Sequence, residues 1–220
     1  MSTAKASVSS VHVSQDRILR AAARLFRERG FGGTSIRAVA QAAGILPGSL
    51  TYRFRTKEDL IVAIAEQAVE HALAEVQSAI AESRDPLERI RLGMRAHLRA
   101  LLSEEDAVPV LVFDLHRLPE HTRARLIEAR RPYDAIWEGL SYAAIGAGQL
   151  AAGLDVSLVK RFWFGATNSV ALWYRPDGPL TPEQIADAFS TLIALGTLSP
   201  SARPDSLEEA FKAIATTGRP

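Results

Sequence analysis

Cysteine is absent from this chain. That excludes a disulfide framework, a zinc–thiolate site and a cysteine nucleophile. A chain without cysteine also suits a reducing compartment, so the expected location is the cytoplasm. No run of about 18 apolar residues occurs, so no membrane span and no membrane partner are expected. The first thirteen residues lack the apolar core of a signal peptide and read as a flexible arm over 1–13. Strand-like alternation and internal repeats are both missing. There is no G-x-S-x-G elbow, no H-E-x-x-H pair and no glycine-rich phosphate loop, which leaves an enzyme without its usual motifs. The D-x-H-x4-H spacing of Asp114, His116 and His121 fits no tight ligand pattern and Pro119 interrupts it, so neither a metal nor another cofactor is expected.

Net charge is also scarce, at +1, but it is unevenly spread. Residues 1–60 hold ten lysines and arginines against four acids, a balance of +6; residues 61–220 hold sixteen against twenty-one, a balance of −5. A basic head on an acidic body points to a polyanion that the head alone would bind.

With 220 residues, 47% of them hydrophobic, the chain can build a substantial core. Its periodicity is helical nearly throughout. Ser14 caps a first helix bearing Ile18, Ala22, Leu25 and Phe26, which Gly30 ends. Thr34 is expected to cap a second helix, with Ile36, Val39, Ala40 and Ala43 inward. Gly44 breaks it, and Pro47 opens a short third helix running to about Phe54. Thr56 and Asp59 form a capping box for a long helix through Ile80. Further helices are expected over about 86–102, 107–116, 119–148, 155–174 and 181–196, with a weak one at 207–215. The fold class is therefore all-α, with about nine helices.

Residues 34–60 meet the three needs of a DNA reading head: a short exposed helix, a rigid support and grips on phosphate. Ile36, Val39, Leu50 and Phe54 are spaced to pack the second helix on the third. Ser49, Thr51, Tyr52 and Arg53 would face outward, beside Pro47 and Gly48 in the first turn. Hydroxyls read several base edges, arginine prefers guanine and tyrosine suits phosphate. Lys57, in the first turn of the long helix, is placed for a phosphate, and Thr34 and Arg37 could grip the backbone too.

Three stretches carry a family resemblance: R-I-L-R-A-A-A-R-L-F-R-E-R-G-F at 17–31, T-S-I-R-A-V-A-Q-A-A-G at 34–44 and G-S-L-T-Y-R-F-R-T-K-E-D-L at 48–60. Together they resemble the TetR family of transcriptional regulators. The chain departs from the family pattern at Leu46, where a Ser or Thr usually caps the third helix. It departs again at Thr51, Tyr52 and Arg53, where an aromatic and a histidine are usual.

The resemblance implies a helix-turn-helix domain over 14–60, a helical ligand-binding and dimerisation domain over 61–198 and a tail over 199–220. It implies a homodimer on a palindromic DNA operator, repressing until a hydrophobic small molecule, such as one of lipid or acyl-CoA type, releases it. The dimer face would use Val159, Phe162, Ala166, Val170, Ile185, Phe189, Leu192 and Ile193. Met94, His97, Leu101, Phe113, His116, Trp137, Tyr142, Trp163 and Trp173 are the candidate effector pocket. Two other readings stand beside this one: a DNA-binding regulator controlled by a protein partner, and a helical enzyme using the aromatic cavity.

Overall fold

The computed structural model describes residues 3–103 and 118–198, with side chains over 15–102 and 118–198. Phe113 and His116, and the expected helices at 107–116 and 207–215, lie outside the described residues. Eight helices are described: α1 (Thr3–Gly33), α2 (Ile36–Ala42), α3 (Pro47–Arg53), α4 (Lys57–Ile80), α5 (Pro86–Ser103), α6 (Glu120–Gly146), α7 (Val156–Trp173) and α8 (Pro182–Thr197). No strand occurs among the described residues; Leu150 and Leu198 meet in one isolated bridge.

The start signals for the later helices hold. Asp85 accepts from the Glu88 amide (2.7 Å), and Asp155 caps α7 through the Leu158 amide (3.0 Å). Thr181 and Gln184 close a reciprocal capping box with Pro182 behind it. The first helix departs from expectation. It begins at Thr3 rather than at Ser14, so residues 3–13, expected as an arm, are helical. No glycine or proline stands between residues 1 and 29, so nothing in the backbone stops the helix from extending upstream. Gly30, with φ +72°, kinks α1 where a stop was expected.

The chain divides into two compact units, Met1–Val69 with Glu104–Arg130 and Glu70–Ser103 with Arg131–Pro220. The first unit takes α1–α3, the start of α4 and the start of α6. Its core holds Ile18, Leu25, Phe26, Val39, Leu50, Phe54, Leu60, Ile61 and Ile64, joined by Leu118 and Leu126. It is larger than the expected 14–60 because the first turns of α4 bury their stripe in this core. In the second unit, α5 packs chiefly on α8, and α7 packs on both. Its buried centre includes Met94, Leu98, Leu101, Trp137, Leu140, Trp163, Val170, Ile185 and Ile193.

Candidate functional site

The turn between α2 and α3 is a Schellman motif. Gly44 adopts φ +64°, its amide reaches Gln41 O (3.1 Å), and the Ile45 amide reaches Ala40 O (3.0 Å). This turn fixes the entry of α3. Leu50 and Phe54 anchor that helix from below, both buried. Pro47, Gly48, Ser49, Thr51, Tyr52 and Arg53 are all exposed, and Tyr52 keeps 90% of its surface in water. The six α3 residues expected to meet DNA thus share one open surface on a rigid base. The Thr51 hydroxyl donates to Pro47 O (2.9 Å), which leaves its oxygen as an acceptor toward a ligand.

Two expected contacts change role. Thr34 neither caps α2 nor faces solvent: it is buried, and its hydroxyl lies 3.1 Å from Leu25 O and 3.0 Å from Gly30 O. The kink at Gly30 frees carbonyls at the end of α1, and a buried hydroxyl must find a partner. The cap is Ser35, which accepts from the Ala38 amide (3.1 Å). Lys57 is half-buried. Its ammonium donates to Phe31 O (2.7 Å) and sits 4.7 Å from the centre of the Phe31 ring. It ties α4 to the end of α1 and keeps two further donors for a phosphate. Arg37 is exposed on α2, as the expected backbone grip requires.

The capping box of α4 is present in both directions: the Asp59 amide reaches Thr56 Oγ1 (3.1 Å) and the Thr56 amide reaches Asp59 Oδ2 (3.2 Å). The other carboxylate oxygen accepts from Arg125 on α6 (3.0 Å), and this arginine holds the Asp59 carboxyl below its usual range. Sequence reasoning missed Arg125, whose 66-residue separation from Asp59 leaves no local signal.

In the second unit the expected pocket residues separate into three groups. His97, Trp137 and Leu101 are buried in packed core. His97 Nδ1 lies 2.7 Å from the Tyr133 hydroxyl and Nε2 lies 3.1 Å from Asn168 Oδ1. A carboxamide oxygen only accepts, so Nε2 is the donor toward Asn168. Trp137 and Phe164 meet this imidazole edge-on, at 6.3 and 5.1 Å between ring centres. Tyr133 stands one helical turn before Trp137, so periodicity held the signal for it; Phe164 and Asn168 are neighbours only in the fold.

Met94 and Trp163 form the second group. They line a cleft of about 260 Å³ between α5, α7 and α8, together with Leu87, Ile90, Leu150 and Ile193. Trp163 Nε1 and Ser190 Oγ, both on residues of this lining, are buried without a hydrogen-bond partner among the described residues. The third group, Tyr142 and Trp173, is 63% and 48% exposed and stands outside the lining of this cleft. Residue type had placed them inside, whereas their position on the helix turns them out.

The expected dimer face divides similarly. Val170, Ile185 and Ile193 are buried in the unit's own core, whereas Val159, Ala166 and Phe189 are half-buried. Phe162 and Leu192 are exposed, as are Leu158, Leu172 and Trp173. A wide apolar stripe runs past the residues that a helix buries, and periodicity does not say where burial ends.

Asp187 on α8 braces α5. Arg91 Nη1 donates to it at 3.0 Å, Arg95 Nε at 2.6 Å, and Arg95 Nη2 holds its second oxygen. Arg91 also grips Glu88 (2.7 Å). Burial pushes the Asp187 carboxyl up, but Arg95 and Arg91 together hold it below the usual range. Hydrogen bonding to Arg91 lowers Glu88 in the same way and raises Arg91.

Comparison with known proteins accounts for both units. A family model described as "Bacterial regulatory proteins, tetR family" matches residues 18–64, and "Tetracyclin repressor-like, C-terminal domain" matches residues 83–197. The HTH-type transcriptional repressor KstR2 of Mycobacterium tuberculosis is 30% identical over 187 residues, which is 84% of this chain and 94% of that protein. The crystal structure of the TetR family transcriptional regulator PfmR from Thermus thermophilus superposes with a TM-score of 0.70 at 30% identity, covering 81% of this chain and 97% of PfmR. AibR, solved in complex with isovaleryl coenzyme A and operator DNA, gives 0.69 at 27% identity, with 81% and 97% covered. No described helix is long and apolar enough to cross a membrane. With an exposed α3 on a buried scaffold and family models matched over 18–64 and 83–197, the chain belongs to the TetR family of DNA-binding transcriptional regulators.

Proposed function

We propose that this protein is a ligand-responsive repressor that binds a near-palindromic operator as a homodimer in the cytoplasm. A hydrophobic small molecule of acyl-CoA or lipid type in the second unit releases it. The observation that carries the reading is the exposed surface of α3 from Pro47 to Arg53, held on the buried pair Leu50 and Phe54. Such a helix enters a major groove, and two of them about 34–36 Å apart read the halves of a palindrome. The exposed apolar surface of Leu158, Phe162, Leu172, Trp173 and Leu192 suits a second copy of the chain.

Release follows if the effector binds the DNA-free arrangement more tightly than the DNA-bound one; equal affinity for both would shift nothing. The relative AibR, with isovaleryl coenzyme A in its crystal structure, supports the effector class. The cleft beside Met94 and Trp163, at about 260 Å³, suits a short acyl group rather than a whole coenzyme. That small volume also favours a second reading, control by a protein partner with no small molecule.

The test begins with selection of duplexes from a random-sequence pool, then titrates isovaleryl-CoA and longer acyl-CoAs into the complex. An enriched palindrome and release by an acyl-CoA are expected. Failure to enrich any sequence would reject the operator reading. Enrichment without release by any acyl-CoA would reject this effector class and favour the protein partner.

A further inference from the structure

We propose that Leu46 is a specificity-determining residue of the reading head, packing its side chain on thymine C5-methyl groups in the major groove. The inference rests on the DNA-reading role proposed above. Leu46 is the N-cap of α3, and 76% of its surface is exposed. No side chain caps the helix there. A Ser, Thr, Asn or Asp at that position would accept from a free amide of the first turn. Ser35 makes that bond for α2. The head therefore caps the helix that supports and leaves uncapped the helix that reads.

Folding gains nothing from this arrangement. An exposed leucine contributes no burial, and the cap bond is forgone. What distinguishes the position is its place. The N-terminal residues of a reading helix are the ones that meet base edges. Here they are Leu46, Pro47, Gly48 and Ser49, all exposed, and only Ser49 brings a polar side chain. Such a turn lacks the bidentate hydrogen bonds that single out purines. It offers apolar surface instead. The thymine methyl is the apolar group that the major-groove edges of the four bases present. Leu46 gives that methyl a partner that a capping serine would not.

The experiment uses the full-length protein and a site selected from a random-sequence duplex pool. Each thymine is replaced singly by deoxyuridine, which lacks only the methyl. Dissociation constants are measured by fluorescence anisotropy for wild type, Leu46→Met, Leu46→Ala and Leu46→Ser. Wild type and Leu46→Met are expected to bind about fourfold more weakly when a contacted methyl is removed. Leu46→Ala and Leu46→Ser are expected to be indifferent at those positions while still discriminating elsewhere. Leu46→Ser also regains a cap, so its Tm should rise by about 2–4 °C. The inference is overturned if no deoxyuridine weakens wild type, or if Leu46→Ala keeps the same penalty. A pool that enriches nothing overturns the DNA-reading role itself, a failure distinct from the other two.

Discussion

Replacing Lys57 by methionine removes one ammonium and keeps most of the apolar stem, so it separates the two jobs this residue is given. In the free protein the ammonium donates to Phe31 O at 2.7 Å and lies 4.7 Å from the ring centre of the same residue. A charged hydrogen bond contributes about 1.5–3 kcal/mol, and a cation over a ring about 0.5–1 kcal/mol at exposed sites. Lys57 is half-buried, so water recovers part of this, and a net loss of about 2 kcal/mol follows. For a chain of this size that lowers Tm by about 4–8 °C. The two remaining donors are assigned to one phosphate. Losing that contact makes the slope of log K against log salt shallower by about 0.9. Between 50 and 200 mM salt the gap between variant and wild type then closes by roughly 3–4-fold. Circular dichroism melting gives the first quantity, and anisotropy titrations at four salt concentrations on one selected duplex give the second. A fall in Tm with an unchanged slope would make Lys57 scaffold only. An unchanged Tm would refute the tether to Phe31.

Other consequences are as direct. Thr34→Val removes a hydroxyl within bonding distance of two α1 carbonyls and should cost about 1–2 kcal/mol with no change in affinity for the selected duplex; weaker binding with an unchanged Tm would return Thr34 to the DNA backbone. Asp187→Ala leaves Arg91 and Arg95 without the carboxylate between them. Both arginines stay about one-third exposed, so the expected loss is about 2–3 kcal/mol, and a urea midpoint that does not move would sink the bracing role. Asp59, Glu88 and Asp187 all titrate lower in the folded chain than unfolded. Their contribution is complete above the ordinary carboxylate range and disappears as pH falls through the lowered folded values; pH-dependent melting should be flat above about pH 5 and decline below it, and a decline that Asp187→Asn leaves unaltered would exclude its share. Phe162→Glu charges the exposed stripe of α7 and should yield a folded monomer by sedimentation; a persistent dimer would place the interface elsewhere.

Much of the head was legible because its instructions are local. Gly44 at the turn, Pro47 at the first helical position and the Thr56–Asp59 box each act within a few residues, and each stands where expected. The neighbouring residues Thr34 and Ser35 show the limit. Either suits an N-cap by residue type. Only the packing of α2 on α1 buries the first and leaves the second at the cap. The body was less legible for a related reason. His97 finds Tyr133 and Asn168 from 36 and 71 residues away, and Trp173 faces outward although its residue type suited a pocket.

The amino-acid sequence alone therefore determined the helical class, the reading head and the outward set on α3. These depend on periodicity, turn chemistry and capping, which act over a few residues. Tertiary structure decided which apolar residues close a core and which stay exposed. It also decided that Lys57 is pinned to Phe31 and that Leu46 stands bare at the start of α3. Those outcomes depend on contacts between segments distant in the chain, and helical periodicity orients a side chain without saying what it meets.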